Sequence, residues 1–295
     1  MIIWARRGAG GLAGVNPAVV CPWWSCGKIA IAAAALGLVE AGAVGLDEPL
    51  SPAPYSLRQL LGHTAGLTDY GRQVAYHAAV AAGEEPWSVE TLLARADADR
   101  LIFPPGRGWS YSNIGYLHVR GLIERITGQT LGAVLAERHF RPLGLHRTRL
   151  ATLREDLAGV ALAPADYHPG WVYHGLLVGP ADEATAWLAA LFDGRLLGAA
   201  ALAAMTTPRL LGDIPGRIAR KPAYGLGLMI EGDRLARPVF GHTGAGPGSL
   251  SALYRIGAGA SAVTVGAFAP WPDADQGRLE MSVLDLADSH QAAAR

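Results

Sequence analysis

The stretch Trp24-Ser25-Cys26-Gly27-Lys28 leads into a long apolar run, and the rest of the chain is organised around it. Ser25 and Lys28 are three residues apart, so a helix that begins here places both side chains on one face. The positive end of the helix dipole favours negative charge that develops beside the serine hydroxyl. A lysine accepts the serine proton only when it is neutral, and burial lowers its pKa in that direction.

Lysine is rare in this chain, which gives its use at this position more weight. Of the 25 Lys and Arg residues, only Lys28 and Lys221 are lysines. Arginine does not release its proton in a protein. Read alone, the S-x-x-K pattern also fits a capping serine beside a solvated lysine. Cys26, which follows Ser25, is either a rival nucleophile or a small residue that fills buried space.

Composition restricts the class of protein. A formal net charge of zero argues against a nucleic-acid partner, and two cysteines rule out a disulfide framework. There is no H-E-x-x-H motif, and Asp166, His168 and His174 are too scattered to predict a metal site, so neither a metal nor a cofactor is predicted. Residues 29–46 contain Glu40 and are too weakly apolar for a membrane span.

The first residues predict one short strand at 2–6, followed by the Gly-rich stretch at 8–13. This stretch fits the loose dinucleotide pattern G-x-G-x-x-A, which would suggest a nucleotide-binding oxidoreductase. The pattern requires a helix directly after the glycines, whereas Pro17 and Pro22 follow here. We therefore predict a turn and keep the oxidoreductase only as a remote alternative. No signal peptide is readable, which predicts a cytoplasmic protein as the sequence stands.

The middle of the chain is predicted to be mostly helical. A central helix is expected at 25–41, and Ser56 is expected to cap the next one. His63 lies at a helix-to-loop junction and is interpreted as a hydrogen-bonded scaffold residue. Tyr111-Ser112-Asn113 stands between a Pro/Gly turn and a helix, where a loop presents side chains to a cleft, although a helix cap with a packed tyrosine fits equally well. Residues 151–180 are predicted to be loop-rich.

After residue 208 the pattern changes to short strands separated by turns, which predicts an antiparallel sheet. Strand-like runs occur at 223–230, 238–241, 250–255 and 262–268, and a last amphipathic helix at 278–293 is expected to lie on the sheet. The Gly-rich segment 241–246 follows one of these strands. Glycines at such a place allow the backbone to approach a ligand closely.

Three motifs in this order resemble those of the penicillin-recognising serine hydrolases, and most closely the class C β-lactamase and esterase branch. They are Ser25-Cys26-Gly27-Lys28, Tyr111-Ser112-Asn113 and His242-Thr243-Gly244. The resemblance covers about residues 20–270. It implies an α/β fold in which residues 1–50 and 206–295 form an antiparallel sheet flanked by helices, with a mostly helical domain inserted at 51–205.

The resemblance also implies a mechanism. Ser25 attacks an acyl carbonyl, and Lys28, aided by Tyr111, takes its proton; which of the two is the base stays open. The backbone N–H groups of Ser25 and Ala245 hold the oxyanion, and Asn113 orients Lys28 and the substrate carbonyl.

The substrate side of this implied site departs from the family pattern. Thr243 and Gly244 match it, but His242 replaces the lysine that binds a carboxylate in β-lactam-directed members. A mostly neutral imidazole is a weaker anion partner, which favours a small-molecule ester over a β-lactam or other amide. The alternatives are β-lactamase or D-Ala peptidase activity, and a catalytically impaired homologue that only binds its ligand.

The N-terminal segment is the second departure. Only 24 residues precede Ser25, which leaves room for one sheet strand where the family usually has two. The expectation is therefore a truncated N-terminal strand, and a secreted or periplasmic location if an export signal was lost with it. The oligomeric state is not predicted.

Overall fold

The computed structural model describes residues 2–211, 222–231, 237–272 and 274–289. The described residues form a large antiparallel sheet with the spatial strand order β2-β1-β11-β10-β9-β8-β7-β6, and a small sheet with the order β3-β5-β4. In chain order, the strands are β1 (Ile3–Gly8), β2 (Gly11–Val15), β3 (Val20–Pro22), β4 (Arg149–Ala151), β5 (Leu176–Pro180), β6 (Arg209–Leu210), β7 (Pro222–Tyr224), β8 (Met229–Glu231), β9 (Val239–Gly246), β10 (Ser249–Ile256) and β11 (Val263–Pro270).

Along the chain, most of the helices lie between β2 and β6, the two points where the chain leaves and re-enters the large sheet. They are α1 (Gly27–Glu40), α2 (Leu57–Leu61), α3 (Val74–Ala81), α4 (Val89–Arg95), α5 (Asn113–Thr127), α6 (Leu131–Leu135), α7 (Ala181–Phe192), α8 (Ala199–Thr206) and α9 (Gln276–Asp288). This arrangement agrees with the predicted α/β fold of a helix-flanked antiparallel sheet with a helix-rich middle. The division into two domains at residues 51 and 206 stays a prediction.

The first two strands correct the expectation of a single N-terminal strand. β1 pairs with β11 in the interior of the sheet, with Ile3 opposite Phe268. β2 turns back antiparallel to β1 and pairs with it, so that Gly8 lies opposite Gly11 at the hairpin end. Two strands of the large sheet therefore precede Ser25, and β3 of the small sheet follows them. The Gly-rich stretch forms this hairpin and not a dinucleotide-binding loop.

Helices cover both faces of the large sheet, because side chains along its central strands point alternately into two cores. Leu253 of β10 contributes to the core that contains α1 and α7. The next residue, Tyr254, belongs to a second core with Leu279 and Val283 of α9. Successive strand residues point to opposite faces, so the sheet is buried on both sides. The final helix lies on the sheet as predicted, and residues 290–293 of the predicted range lie outside the described residues.

The central helix α1 is buried on almost every side. Residues 27–36 are all buried, and most of them are alanine or isoleucine. Alanine has so little side chain that α5, α6 and α8 all pack against the helix. Lys28 shares this environment, and none of its surface is exposed.

Two other local structures bear on the sequence predictions. Ser56 caps α2 as expected, accepting a hydrogen bond from the backbone N–H of Gln59 in a capping box. β5 was not predicted, and its pairing with β3 and β4 gives order to part of the segment expected to be loop. Within the described ranges, no helix is long and apolar enough to span a bilayer.

Candidate active site

Ser25 lies in a single turn of 3-10 helix, Trp24–Cys26, that leads directly into α1. The preceding residue, Trp24, has a φ of 45°, which is unusual for a large side chain. Strand β10 holds this turn on both sides. The Trp24 indole N–H donates to Ser249 Oγ at 3.0 Å, and the Ser251 hydroxyl donates to the carbonyl of Trp23 at 2.8 Å. The strained backbone that presents Ser25 is therefore fixed by the sheet.

Lys28 lies beneath Ser25 and has three polar neighbours. Its Nζ atom is 3.1 Å from Ser25 Oγ, 2.8 Å from Asn113 Oδ1 and 3.0 Å from His174 Nε2. Burial lowers the pKa of Lys28 from 10.5 to about 7, although the carboxylate of Asp69 acts in the opposite direction. Near pH 7 a large fraction of this amine is thus neutral and able to accept a proton.

The loop before α5 brings Tyr111 to Ser25, and the first residue of that helix, Asn113, reaches Lys28. The Ser112 hydroxyl caps α5 by accepting from the N–H of Gly115 at 3.1 Å, and it donates to the carbonyl of Thr68 at 2.6 Å. The segment is therefore both a helix cap and a cleft-lining loop, because the Ser112 cap fixes the backbone that presents Tyr111 and Asn113 to the cleft.

Tyr111 and Asn113 have defined hydrogen-bonding roles in this arrangement. The Tyr111 hydroxyl donates to Ser25 Oγ at 2.9 Å. Burial raises the pKa of Tyr111 well above its usual range, so the phenol keeps its proton. The side-chain amide of Asn113 donates to Asp69 Oδ1 at 3.0 Å. This bond turns the carbonyl oxygen of Asn113 towards Lys28.

Cys26 is excluded as the nucleophile. Its side chain is buried, and burial raises the pKa of the thiol to about 12. The thiol lies 3.1 Å from the backbone oxygen of His242 and 3.3 Å from Ser251 Oγ. Of the two interpretations of Cys26, the structure supports a small residue that fills buried space.

Strand β9 carries the third motif past Ser25. Residues 239–246 pair with β10 on one side, whereas β8 pairs only with residues 239–241 on the other. The rest of this edge of β9, residues 242–246, borders the cleft. The approach is close at Gly244, where an added Cβ would lie 2.7 Å from the backbone nitrogen of Ser25. Ala245 follows and is exposed.

His242 is fully buried, and a network of side chains links it to the second motif. Its Nε2 atom is 3.0 Å from the Tyr224 hydroxyl, which lies 3.2 Å from His63 Nε2. His63 Nδ1 accepts from the backbone N–H of Ser112 at 3.1 Å, so its proton resides on Nε2. Burial holds the pKa of His63 well below its usual value. His63 is thus a hydrogen-bonded scaffold residue, as predicted.

A cleft of about 500 Å³ opens above these residues. Its described lining includes one carboxylate, that of Asp69, and neither arginine nor lysine. Aromatic side chains supply much of the wall, and they come from several parts of the chain: Trp24, Tyr70, Tyr76, Trp109, Tyr111, Tyr167 and Tyr224.

His174 was not identified from the sequence as a site residue. Its spacing from Asp166 and His168 predicts no metal site, and the described residues contain no group of three His, Cys, Asp or Glu side chains that could hold a metal ion. The structure instead places it against Lys28, between the turn Pro169–Trp171 and β5. A single histidine in a loop has no spacing that would have indicated this contact.

Comparison with known proteins gives matches over short parts of longer curated chains. Penicillin-binding protein 4* of Bacillus subtilis (strain 168) is 30% identical over 41% of this chain and 29% of its own length. D-aminopeptidase of Cereibacter sphaeroides (strain ATCC 17023) is 35% identical over 46% and 25%. Lovastatin esterase of Penicillium rubens is 35% identical over 41% and 31%. The chain thus spans a third or less of the curated relatives it matches.

Solved structures match over most of the chain. A D-stereospecific amidohydrolase from Streptomyces sp. has a TM-score of 0.75 at 25% identity, covering 90% of this chain and 88% of that one. The octameric penicillin-binding protein homologue from Pyrococcus abyssi has a TM-score of 0.81 over 98% and 74%, and its 19% identity supports the fold alone. The Beta-lactamase family model matches residues 3–283, and the chain therefore belongs to this family of serine hydrolases.

Proposed function

We propose that this serine hydrolase is an esterase that forms an acyl-enzyme on Ser25. The observation that carries the proposal is the position of Ser25 Oγ, which lies 3.1 Å from the amine of Lys28 and 2.9 Å from the hydroxyl of Tyr111. A base and a proton donor thus meet at one oxygen atom, which is the arrangement that activates a serine nucleophile.

The proposed reaction uses Lys28 as the base. As Ser25 Oγ bonds to the ester carbonyl carbon, the neutral amine takes the hydroxyl proton. The tetrahedral intermediate then expels the alcohol, which leaves with the proton returned from Lys28. In deacylation the same amine takes a proton from the attacking water and gives it back to Ser25. Tyr111 keeps its own proton and donates a hydrogen bond to the serine oxygen.

We assign the oxyanion to the backbone N–H groups of Ser25 and Ala245. The close approach of β9 to the Ser25 backbone at Gly244 supports this assignment, since both donors then border one small volume. Removing one such donor typically lowers the rate by about 10²–10³-fold. Thr243, which also lines the cleft, is assigned to the substrate side.

The charge of the described cleft lining favours an ester without a carboxylate. The described lining contains neither arginine nor lysine, and His242 is fully buried. A substrate carboxylate would therefore lose its hydration without gaining a cationic partner from these residues. This argues against β-lactams and D-Ala peptides as the preferred substrates.

A second candidate is hydrolysis of amides that carry a free ammonium group. Asp69 supports it, because this carboxylate lines the cleft while the amide of Asn113 holds one of its oxygens. A carboxylate beside the reaction centre attracts a substrate cation. The names of two relatives, D-aminopeptidase and D-stereospecific amidohydrolase, fit this chemistry.

Covalent labelling tests the common step. Intact-protein mass is measured after exposure to a fluorophosphonate, on wild type, Ser25→Ala and Cys26→Ala. One adduct on wild type and Cys26→Ala, but none on Ser25→Ala, is the expected result. No adduct on any folded variant would reject the acyl-enzyme and favour a homologue that only binds its ligand.

A substrate panel then separates the candidates. An uncharged p-nitrophenyl ester, a D-amino acid p-nitroanilide, its N-acetylated form and a chromogenic cephalosporin are compared by kcat/KM. The esterase proposal expects the ester to be the best substrate. Preference for the free-amine anilide over its acetylated form, lost in Asp69→Asn, would establish the second candidate instead.

A further inference from the structure

His174 is a buried histidine whose hydrogen bond is directed at the amine of Lys28. Its Nε2 atom lies 3.0 Å from Lys28 Nζ, and its Nδ1 atom is buried without a hydrogen-bonding partner among the described residues. His63, in contrast, uses both ring nitrogens to hold the scaffold. We infer that His174 is a positioning residue: it accepts a hydrogen bond from Lys28 and thereby leaves the lone pair of the amine directed at Ser25. This inference rests on the proposed function.

The hydrogen atoms of Lys28 can be assigned one by one. The amide of Asn113 donates to Asp69, so its carbonyl oxygen accepts one N–H from Lys28 at 2.8 Å. A neutral amine has two N–H bonds and one lone pair. If His174 accepts the second N–H, the lone pair is left for the third neighbour, the Ser25 hydroxyl at 3.1 Å.

The two tautomers of His174 have different consequences for Lys28. A proton on Nε2 would be donated to the lone pair of the amine, and the amine would then not be available to Ser25. Once Lys28 is an ammonium it has no lone pair, and Nε2 must accept. Only the tautomer with the proton on Nδ1 suits both states. In that form His174 stays unchanged while the proton moves between Ser25 and Lys28.

The surroundings keep His174 neutral, as this role requires. Burial, followed by the nearby charges of Lys28 and Arg120, holds the pKa of His174 well below its usual value. A protonated imidazole would have no acceptor to offer. Among the described residues, the titratable groups that act on this pair are Cys26, His63, Asp69, Arg120 and His242. The rings of Tyr111 and Tyr116 lie beside the amine.

Two substitutions separate the hydrogen bond from the bulk of the ring. His174→Phe keeps a ring and removes the acceptor, whereas His174→Gln keeps an acceptor near the position of Nε2. The measured quantity is the second-order rate constant of fluorophosphonate labelling as a function of pH. We expect a loss of about 10²-fold for His174→Phe and of less than about tenfold for His174→Gln, because a misdirected reacting group costs rates of this order.

The pH profile is the readout that a purely structural role would not change. An acceptor stabilises the ammonium more than the neutral amine, so its removal lowers the pKa of Lys28. The acidic limb of the profile is therefore expected at lower pH in His174→Phe and at the wild-type position in His174→Gln. In the ester assay the loss is expected in kcat, with KM little changed.

The outcomes distinguish this inference from the proposed function. If folded wild type is not labelled at Ser25, the proposed function fails. If wild type is labelled and folded His174→Phe reacts at the same rate with the same acidic limb, the inference is overturned. Equal losses in both variants with no displaced limb would also overturn it. Thermal unfolding checks the fold, and His174→Leu replaces the Phe variant if that one does not fold.

Discussion

The titration of Lys28 provides the most direct test of the proposed chemistry. The chain contains two lysines, so growth on lysine labelled with ¹³C at Cε gives two signals. Lys221→Arg removes the signal of the lysine that lies outside the described residues. The remaining signal belongs to Lys28, and its chemical shift is followed from pH 5 to pH 11.

The burial of Lys28 sets the expected size of its pKa change. Burial brings the pKa of Lys28 to about 7, from 10.5 for the unperturbed side chain. At pH 7 about half of the molecules then carry a neutral amine, whereas a lysine with the unperturbed pKa would be neutral in about 3 of 10⁴ molecules. Removal from water thus increases the population of competent base by about 10³-fold.

The lowered pKa of Lys28 determines how labelling depends on pH. Lys28 is charged below its folded-state pKa and cannot accept the Ser25 proton there, so labelling by fluorophosphonate should rise as the pH increases through about 7. The ¹³C midpoint and the kinetic midpoint are expected to coincide, and Lys28→Arg is expected to lose the labelling because guanidinium stays charged. A midpoint above pH 9 in the ¹³C titration would refute the reasoning, since Lys28 would then be charged under all working conditions.

Other regions of the structure give further predictions. Gly244→Ala should lower labelling by at least about 10²-fold, because the added Cβ meets the Ser25 backbone. The control is Gly37→Ala, where the added Cβ has open space. Equal labelling of the two variants would contradict the close approach at Gly244. Iodoacetamide should leave Cys26 unmodified in the folded protein and label it in guanidinium, as peptide mass spectrometry can show. Ser56→Ala should lose about 1 kcal/mol of unfolding free energy in urea, and an unchanged midpoint would argue against a stabilising cap.

Motifs with fixed spacing made much of the site predictable. Ser25 and Lys28 are neighbours on one turn, so local geometry alone brings them together. Tyr111 and Asn113 reach them only through the fold, and their place was inferred from the resemblance of the ordered motifs. The inertness of Cys26 depends on its burial in the tertiary structure, which its position at the start of a helix does not reveal.

The parts that were missed lack a local signal. β2 is exposed along its whole length and rich in glycine, so no alternation of apolar residues marks it. β5 is buried throughout and ends in Gly-Pro, which resembles a loop boundary more than a strand. His174 is defined by a partner 146 residues away. Only tertiary packing identifies such elements.

The pairing of β1 with β11 has a consequence for synthesis of the protein. Ile3 and Phe268 are partners in the sheet, yet a ribosome makes them 265 residues apart. At about 5–20 residues per second, the first hairpin waits roughly 10–50 s for its neighbour. During that time one edge of β1 is unpaired, which is a site for aggregation. The turn that carries Ser25 is fixed by β10, so the nascent chain should acquire its reactive serine only after residues 249–256 have been synthesised.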